Sequence, residues 1–123
     1  MWLSQFNKKQ DTLKKGRRYE DIACQYLKKK HYHIIEKNYR TRLGEIDVIC
    51  SLANELVFVE VKGGKKTPEP FLRVHQQKLL RLERTMRHYL HHDERDWEYI
   101  RLDVISISEP DLKIKHFKDV LGY

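Results

Sequence analysis

Two apolar segments with carboxylates inside them set the tightest constraint on what this chain can fold into. Gly44-Glu45-Ile46-Asp47-Val48-Ile49-Cys50 and Phe58-Val59-Glu60-Val61-Lys62 both read as strands, and a turn at Ala53-Asn54 lets them pair as an antiparallel hairpin. In that register Asp47 sits opposite Glu60 and Glu45 opposite Lys62, all on one face at the open end of the hairpin. Two facing carboxylates repel, so a strand pair that keeps them needs a compensating cation. Carboxylate oxygens completed by water and a substrate phosphate describe a Mg²⁺ site, with Lys62 pointing the same way to orient a water. The same residues also fit a half-exposed sheet in which Glu45 and Lys62 form an ion pair while Asp47 and Glu60 face solvent.

The flanking segments decide what the hairpin packs against. From about Asp11 to Lys30 the residues Tyr19, Ile22, Ala23, Tyr26 and Leu27 recur at helical spacing, and Glu20 lies on the flank of that stripe, placing a third carboxylate toward the sheet. His33 to Tyr39 reads as a first strand. After Glu55 to Lys62, a loop with Gly63, Gly64, Pro68 and Pro70 leads to a second helix over roughly Leu72 to His91, with Leu72, Leu79, Leu82, Met86, Tyr89 and Leu90 on its apolar stripe. Ile100 to Ile107 alternates as a strand, Glu109-Pro110-Asp111 turns the chain, and a short strand follows near Leu112 to His116. Helix, three strands, helix, two strands implies an α/β fold: a mixed five-stranded sheet flanked by helices.

With 123 residues, 40% hydrophobic, there is material for a single domain spanning 1–123, with its core over about 12–121. No apolar run is long enough to span a membrane, and the first fifteen residues lack a signal-peptide pattern, so a soluble cytoplasmic protein is expected. Cys24 and Cys50 read as small buried hydrophobes in a reducing compartment. The net charge of +7 is local: residues 1–42 hold 12 of the 25 Lys and Arg but 4 of the 18 Asp and Glu. A polyanion such as nucleic acid would explain that excess, as would a solubilising surface.

Asp47 followed by Glu60-Val61-Lys62 resembles the Asp…Glu-x-Lys core of the PD-(D/E)xK nuclease superfamily, and Glu20 matches the helix-borne Glu of its Holliday-junction-resolvase-like members. Gly16-Arg17-Arg18-Tyr19-Glu20, Gly44 to Ile49, Phe58 to Lys62, Gln76-Gln77-Lys78-Leu79-Leu80 and Arg101-Leu102-Asp103-Val104 resemble, in order, the motifs of the YraN family, small bacterial proteins usually assigned to the endonucleases. The resemblance implies a restriction-endonuclease-like fold and phosphodiester hydrolysis with Mg²⁺ or Mn²⁺. It further implies metal binding by Asp47 and Glu60 with help from Glu20, a catalytic Lys62, and Gln76 and Lys78 approaching the site from the second helix. Gly63-Gly64-Lys65-Lys66 departs from the aromatic and Arg residues that often follow the Glu-x-Lys motif.

The nucleic acid, expected to be DNA and branched DNA among its forms, would be contacted by Lys14, Lys15, Arg17, Arg18, Arg42, Lys65, Lys66, Gln76 and Lys78. A two-fold-symmetric junction as substrate would require a homodimer. The alternative is a nucleic-acid-binding module that keeps the fold without turning anything over; a third reading is a protein-interaction subunit. Lys78, Arg81, Arg84 and Arg87 on the second helix fit either a solvated face or a DNA-facing stripe. Gly63 to Lys66 lacks the spacing of a nucleotide-binding loop. His31/His33 and His91/His92 lack i, i+4 spacing, and the cysteines are not in Cys-x2-Cys spacing, so no structural zinc is expected. His91-His92 is expected instead to interact with the carbonyls ending the second helix. Nothing in the patterns accounts for Trp2 and Phe6.

Overall fold

The computed structural model describes the backbone of residues 2–65 and 76–122, and within these the side chains from residue 16 onward. The elements run α1 (Trp2–Lys29), β1 (His33–Arg40), β2 (Glu45–Leu52), β3 (Glu55–Gly64), α2 (Gln76–His91), β4 (Tyr99–Ser108) and β5 (Lys113–Phe117). The strands form one sheet in the order β1-β2-β3-β4-β5, parallel between β3 and β4 and antiparallel elsewhere, with α2 inside the β3-to-β4 crossover. This is the expected mixed α/β arrangement, consistent with a restriction-endonuclease-like fold.

The first helix is longer than its apolar periodicity suggests: it begins at Trp2 and takes in Phe6. The expected start of the second helix at Leu72, and the loop with Pro68 and Pro70, lie outside the described residues. Among the described residues no helix is long and apolar enough to cross a membrane.

Both faces of the sheet are covered. Tyr19, Ala23 and Leu27 of α1 pack on Val48, Cys50, Val57, Val59, Ile105 and Ile107, while Leu82 and Met86 of α2 pack on Ile46, Ile49, Leu56, Phe58 and Leu102. A strand apolar on alternate faces toward two helices reads as an unbroken buried run, which is why Leu56 to Glu60 is buried without interruption. Cys24 and Cys50 are buried free thiols, as expected, and burial pushes the Cys50 thiol up to about 12.

The end of α1 fixes the direction in which β1 enters. His31 takes a left-handed conformation (φ 71°). His31 N donates to Lys28 O at 3.0 Å, and Tyr32 N donates to Leu27 O at 2.9 Å, the paired bonds of a Schellman ending. Lys28 and Lys29 in the last turn suit the negative end of the helix dipole.

On the α1 face one carboxylate is fully buried. Asp103 accepts from Arg101 Nε at 3.0 Å and Asp119 N at 2.9 Å, and lies 2.7 Å from His116 Nε2. Arg101 continues to Glu55 at 2.7 Å and to the Tyr32 hydroxyl at 2.8 Å, so one network ties β3, β4, β5 and the end of α1 together. Although burial opposes it, the bonds from His116, Asp119 and Arg101 hold the Asp103 carboxyl below its ordinary value. A depressed carboxyl adds stability that is complete above its unfolded value, near 4, and is lost as pH falls through the folded value. Asp103→Asn should therefore cost about 1–3 kcal/mol at neutral pH by removing the charge shared by Arg101, His116 and Asp119 N, while Arg101 keeps Glu55. Urea unfolding should show the wild-type advantage shrinking below about pH 4.

A second test concerns the contact between α1 and β3. A Cβ on Gly63 would lie 2.2 Å from the Tyr19 ring. Because Tyr19 is itself part of the core, Gly63→Ala should destabilise by about 1–3 kcal/mol in urea unfolding.

Candidate active site

The sheet forks where the carboxylates lie. Pairing between β2 and β3 runs from Leu52↔Glu55 to Val48↔Val59 and stops, whereas β2 stays paired with β1 as far as Arg40↔Glu45, and β3 with β4 as far as Gly64↔Ser108. Continuing the register puts Asp47 opposite Glu60, as the sequence suggests. The ladder bond is replaced there by a side chain: Val61 N donates to Asp47 Oδ2 at 2.7 Å.

Asn38, which lies between two paired residues of β1, has φ 53°, and its partner position on β2 is Asp47. On either side of Asp47 the strand turns over: Ile46 packs on the α2 face and Val48 on the α1 face. Glu45, Asp47 and Glu60 nevertheless line one cleft toward α2, the shared face that the hairpin register implies. Asp47 sits at the crossover and lines clefts on both sides of the sheet end.

The larger cleft, about 610 Å³, is lined by Glu20, Asp47, Glu60, Gly63, Lys65 and Glu109 among others. A second of about 300 Å³ lies toward α2 and includes Glu45, Asp47, Glu60, Lys78 and Arg81. Among the described residues the tightest carboxylate group is Glu20, Glu45 and Asp47, with ligand oxygens all within 4.8 Å of one another. The hairpin register pairs Glu45 with Lys62; its observed partner is Arg40, at 3.1 Å. Glu60 lies outside that group, and Lys78 Nζ holds it at 3.0 Å.

The electrostatics follow from crowding. Burial and then the Glu60 charge push the Asp47 carboxyl up to about 8, against the opposing Val61 bond. Burial also pushes Glu20 up; a hydrogen bond from Asn38 opposes this and the Glu45 charge adds to it. Lys62 is pushed down by burial and by neighbouring Lys78. Lys78 is held above its ordinary value, Glu60 outweighing the effect of burial. Three hard oxygen donors with too little positive charge among them suit a divalent cation, the donor chemistry of Mg²⁺ or Mn²⁺.

The expected nucleic-acid contacts divide. Arg17 lines a further cleft of about 280 Å³ beside Glu20, Asn38, Arg40, Glu45 and Asp47, and Lys65 lines the larger one. Arg18 is exposed 3.8 Å from Glu109, Arg42 is exposed in the β1–β2 turn, and Gln76 is exposed at the start of α2. Lys78 is turned onto Glu60. The side chains of Lys14 and Lys15, and all of Lys66, lie outside the described residues. Sequence reasoning does not find Arg40, Glu45, Asn38 and Glu109 as site residues. Only Glu45 carries a signal, its spacing of two from Asp47; Asn38 and Arg40 reach the site through the β1–β2 pairing and Glu109 through the turn after β4.

Asp47 supplies a direct test. A carboxyl near 8 in the fold against 3.8 when free means that the folded state keeps a proton the unfolded chain releases, so stability falls as pH rises from about 4 to about 8. In EDTA, Asp47→Asn should be the more stable protein at pH 7, by at least ~1 kcal/mol, since a tenfold difference in proton affinity between the two states is already worth about 1.4 kcal/mol. Urea unfolding at pH 5 and pH 8 should show that gap widening with pH; a constant gap would mean Asp47 ionises normally.

The model of an uncharacterised protein family, UPF0102, matches residues 19–107. Among similar proteins, a UPF0102 protein of Kosmotoga olearia is 40% identical over 109 residues, covering 89% of this chain and 94% of its own. One from Tropheryma whipplei is 36% identical over 111 residues, covering 86% and 92%. One from Thermotoga petrophila is 48% identical over 71 residues, or 58% of this chain, and the match spans 66% of that relative's length.

Proposed function

The chain belongs to the UPF0102 family, and on that footing we propose that it is a metal-dependent endonuclease of the PD-(D/E)xK type, hydrolysing phosphodiester bonds in DNA. The observation that carries this reading is the fork: Glu20, Glu45 and Asp47 converge within 4.8 Å beside Glu60 and Lys62, in a cleft rimmed by basic side chains. A structural acidic pair would be neutralised by protein cations. Here Asp47 is left uncompensated and pushed up to about 8.

Mg²⁺ or Mn²⁺ would be held by Asp47 with Glu20 and Glu45, Glu60 lining the same clefts outside that group. When bound, the ion supplies Lewis-acid polarisation of a phosphoryl oxygen. Asp47 is fixed for this by the Val61 bond, and its carboxyl is also hydrogen-bonded to that of Glu20. Lys62, its ammonium weakened by burial, is suited to take a proton from an attacking water at Nζ and to offset charge on the phosphorus oxygens. Water oxygen joins phosphorus as the bond to the leaving oxygen breaks; the attacking water's proton goes to Lys62 Nζ, and the leaving oxygen takes one from solvent. Lys78 holds the Glu60 carboxylate in place. Arg17 and Lys65, at the cleft margins, would take the flanking phosphates.

The test uses wild type, Asp47→Asn and Lys62→Ala with Mg²⁺ or Mn²⁺ on single-stranded, duplex, flap and four-way-junction DNA, and on RNA. Asp47→Asn should lose cleavage and keep nucleic-acid binding, while Lys62→Ala should cut ~100-fold more slowly. Binding without cleavage by wild type on every substrate would overturn the enzyme in favour of a non-catalytic binding module. Cleavage untouched by both substitutions would place the chemistry elsewhere.

A further inference from the structure

At the far end of α2 from the carboxylates, a second constellation has the chemistry of a different metal. His88 and His92 stand four residues apart across the end of α2, both exposed, with ring centres 4.6 Å apart and planes inclined by 36°. Reading the histidines as the pairs His31/His33 and His91/His92 passes over this spacing, because His88 is separated from both pairs. Positions i and i+4 share one side of a helix, where two imidazoles can reach one ion.

The rings are held by their inner nitrogens. His92 Nδ1 lies 2.8 Å from the carbonyl oxygen of His88; since a carbonyl only accepts, Nδ1 must carry the proton, which leaves the Nε2 lone pair of the neutral ring unprotonated. His88 Nδ1 lies 2.6 Å from the Tyr39 hydroxyl. A ring nitrogen engaged by a carbonyl or hydroxyl while the other is free is the arrangement that orients metal-binding histidines.

The support behind the rings is rigid. Tyr39 packs edge-on against Tyr89 at 5.3 Å, and Tyr89 packs edge-on against the buried Phe58 at 5.7 Å. His91, also exposed, has its ring centre 5.4 Å from that of His92. Two imidazoles on one tetrahedral ion, with metal–nitrogen distances of about 2.0–2.1 Å, have ring centres about 5 Å apart, close to the spacing already present.

We infer that His88 and His92 form a site for a borderline divalent cation of the Zn²⁺ class, separate from the hard-oxygen site in the fork. Imidazole donors select Zn²⁺, Ni²⁺ and Cu²⁺ over Mg²⁺ and Mn²⁺, so the two sites discriminate between metals by donor type. The negative end of the α2 dipole adds to the attraction. Two protein ligands leave coordination positions open to water, which makes the ion exchangeable.

The experiment titrates the full chain with Zn²⁺ by calorimetry while histidine ring signals are followed by NMR, using wild type, His92→Gln, His88→Gln, Tyr39→Phe, and the double variant Asp47→Asn/Glu45→Gln. Binding should persist in the double variant, fall at least tenfold in each histidine variant, and weaken about tenfold in Tyr39→Phe, the effect expected for a supporting contact. The ring signals of His88 and His92 should move together. The inference is overturned if wild type takes up no Zn²⁺, if the double variant alone abolishes uptake, or if both histidine variants, shown folded by circular dichroism, bind as wild type does.

Discussion

The hydrogen bond from Val61 N to Asp47 Oδ2 is the contact on which the site depends, because it lets a sheet come apart without leaving an orphaned donor. A buried backbone N–H with no partner costs on the order of 1–3 kcal/mol, so strands do not separate in a protein interior unless something replaces the ladder. Here the replacement is a carboxylate, and the substitution does two things at once. It ends the β2–β3 pairing, and it orients Asp47 in the opening so created. Asn38, with its left-handed backbone opposite Asp47, supplies the local twist that turns β2 over at that point.

Such an opening weakens the sheet, and the rest of the molecule makes up for it by covering both faces. Val57 and Val59 lean on α1, Leu56 and Phe58 on α2, so β3 is anchored from two sides up to the residue before Glu60. The carboxylates begin where that double anchoring ends. Glu20 arrives on α1, Glu60 and Lys62 on β3 and Lys78 on α2, so the site joins both helical layers at the sheet end. The Asp103 network works in the opposite sense: its carboxylate is matched by Arg101, His116 and a backbone donor, and it stabilises where Asp47 destabilises. The buried Asp103 is satisfied by the protein, whereas the half-buried Asp47 is crowded by the Glu60, Glu20 and Glu45 carboxylates.

How much of this is legible in the sequence depends on the length scale of the cause. Strand and helix identity, the order of elements, the hairpin register that sets Asp47 against Glu60, and the burial of both cysteines follow from periodicities of two and 3.6, which are properties of neighbouring residues. The third carboxylate on α1 is legible for the same reason, since Glu20 flanks a stripe defined by Tyr19, Ala23 and Leu27. The histidine pair at 88 and 92 is legible in principle as i and i+4. The length of α1 is not, because its apolar period fades before Tyr19 while the helix continues to Trp2.

The sequence by itself therefore determined which groups reach the sheet end and from which element, because local periodicity fixes the direction of each side chain. Only the tertiary structure decided how they group. Glu45 joins Glu20 and Asp47, while Glu60 is paired with Lys78, because β2 changes face between Ile46 and Val48, at Asp47. Such a change depends on contacts between strands, helices and a turn far apart in the chain. No period within one segment encodes it.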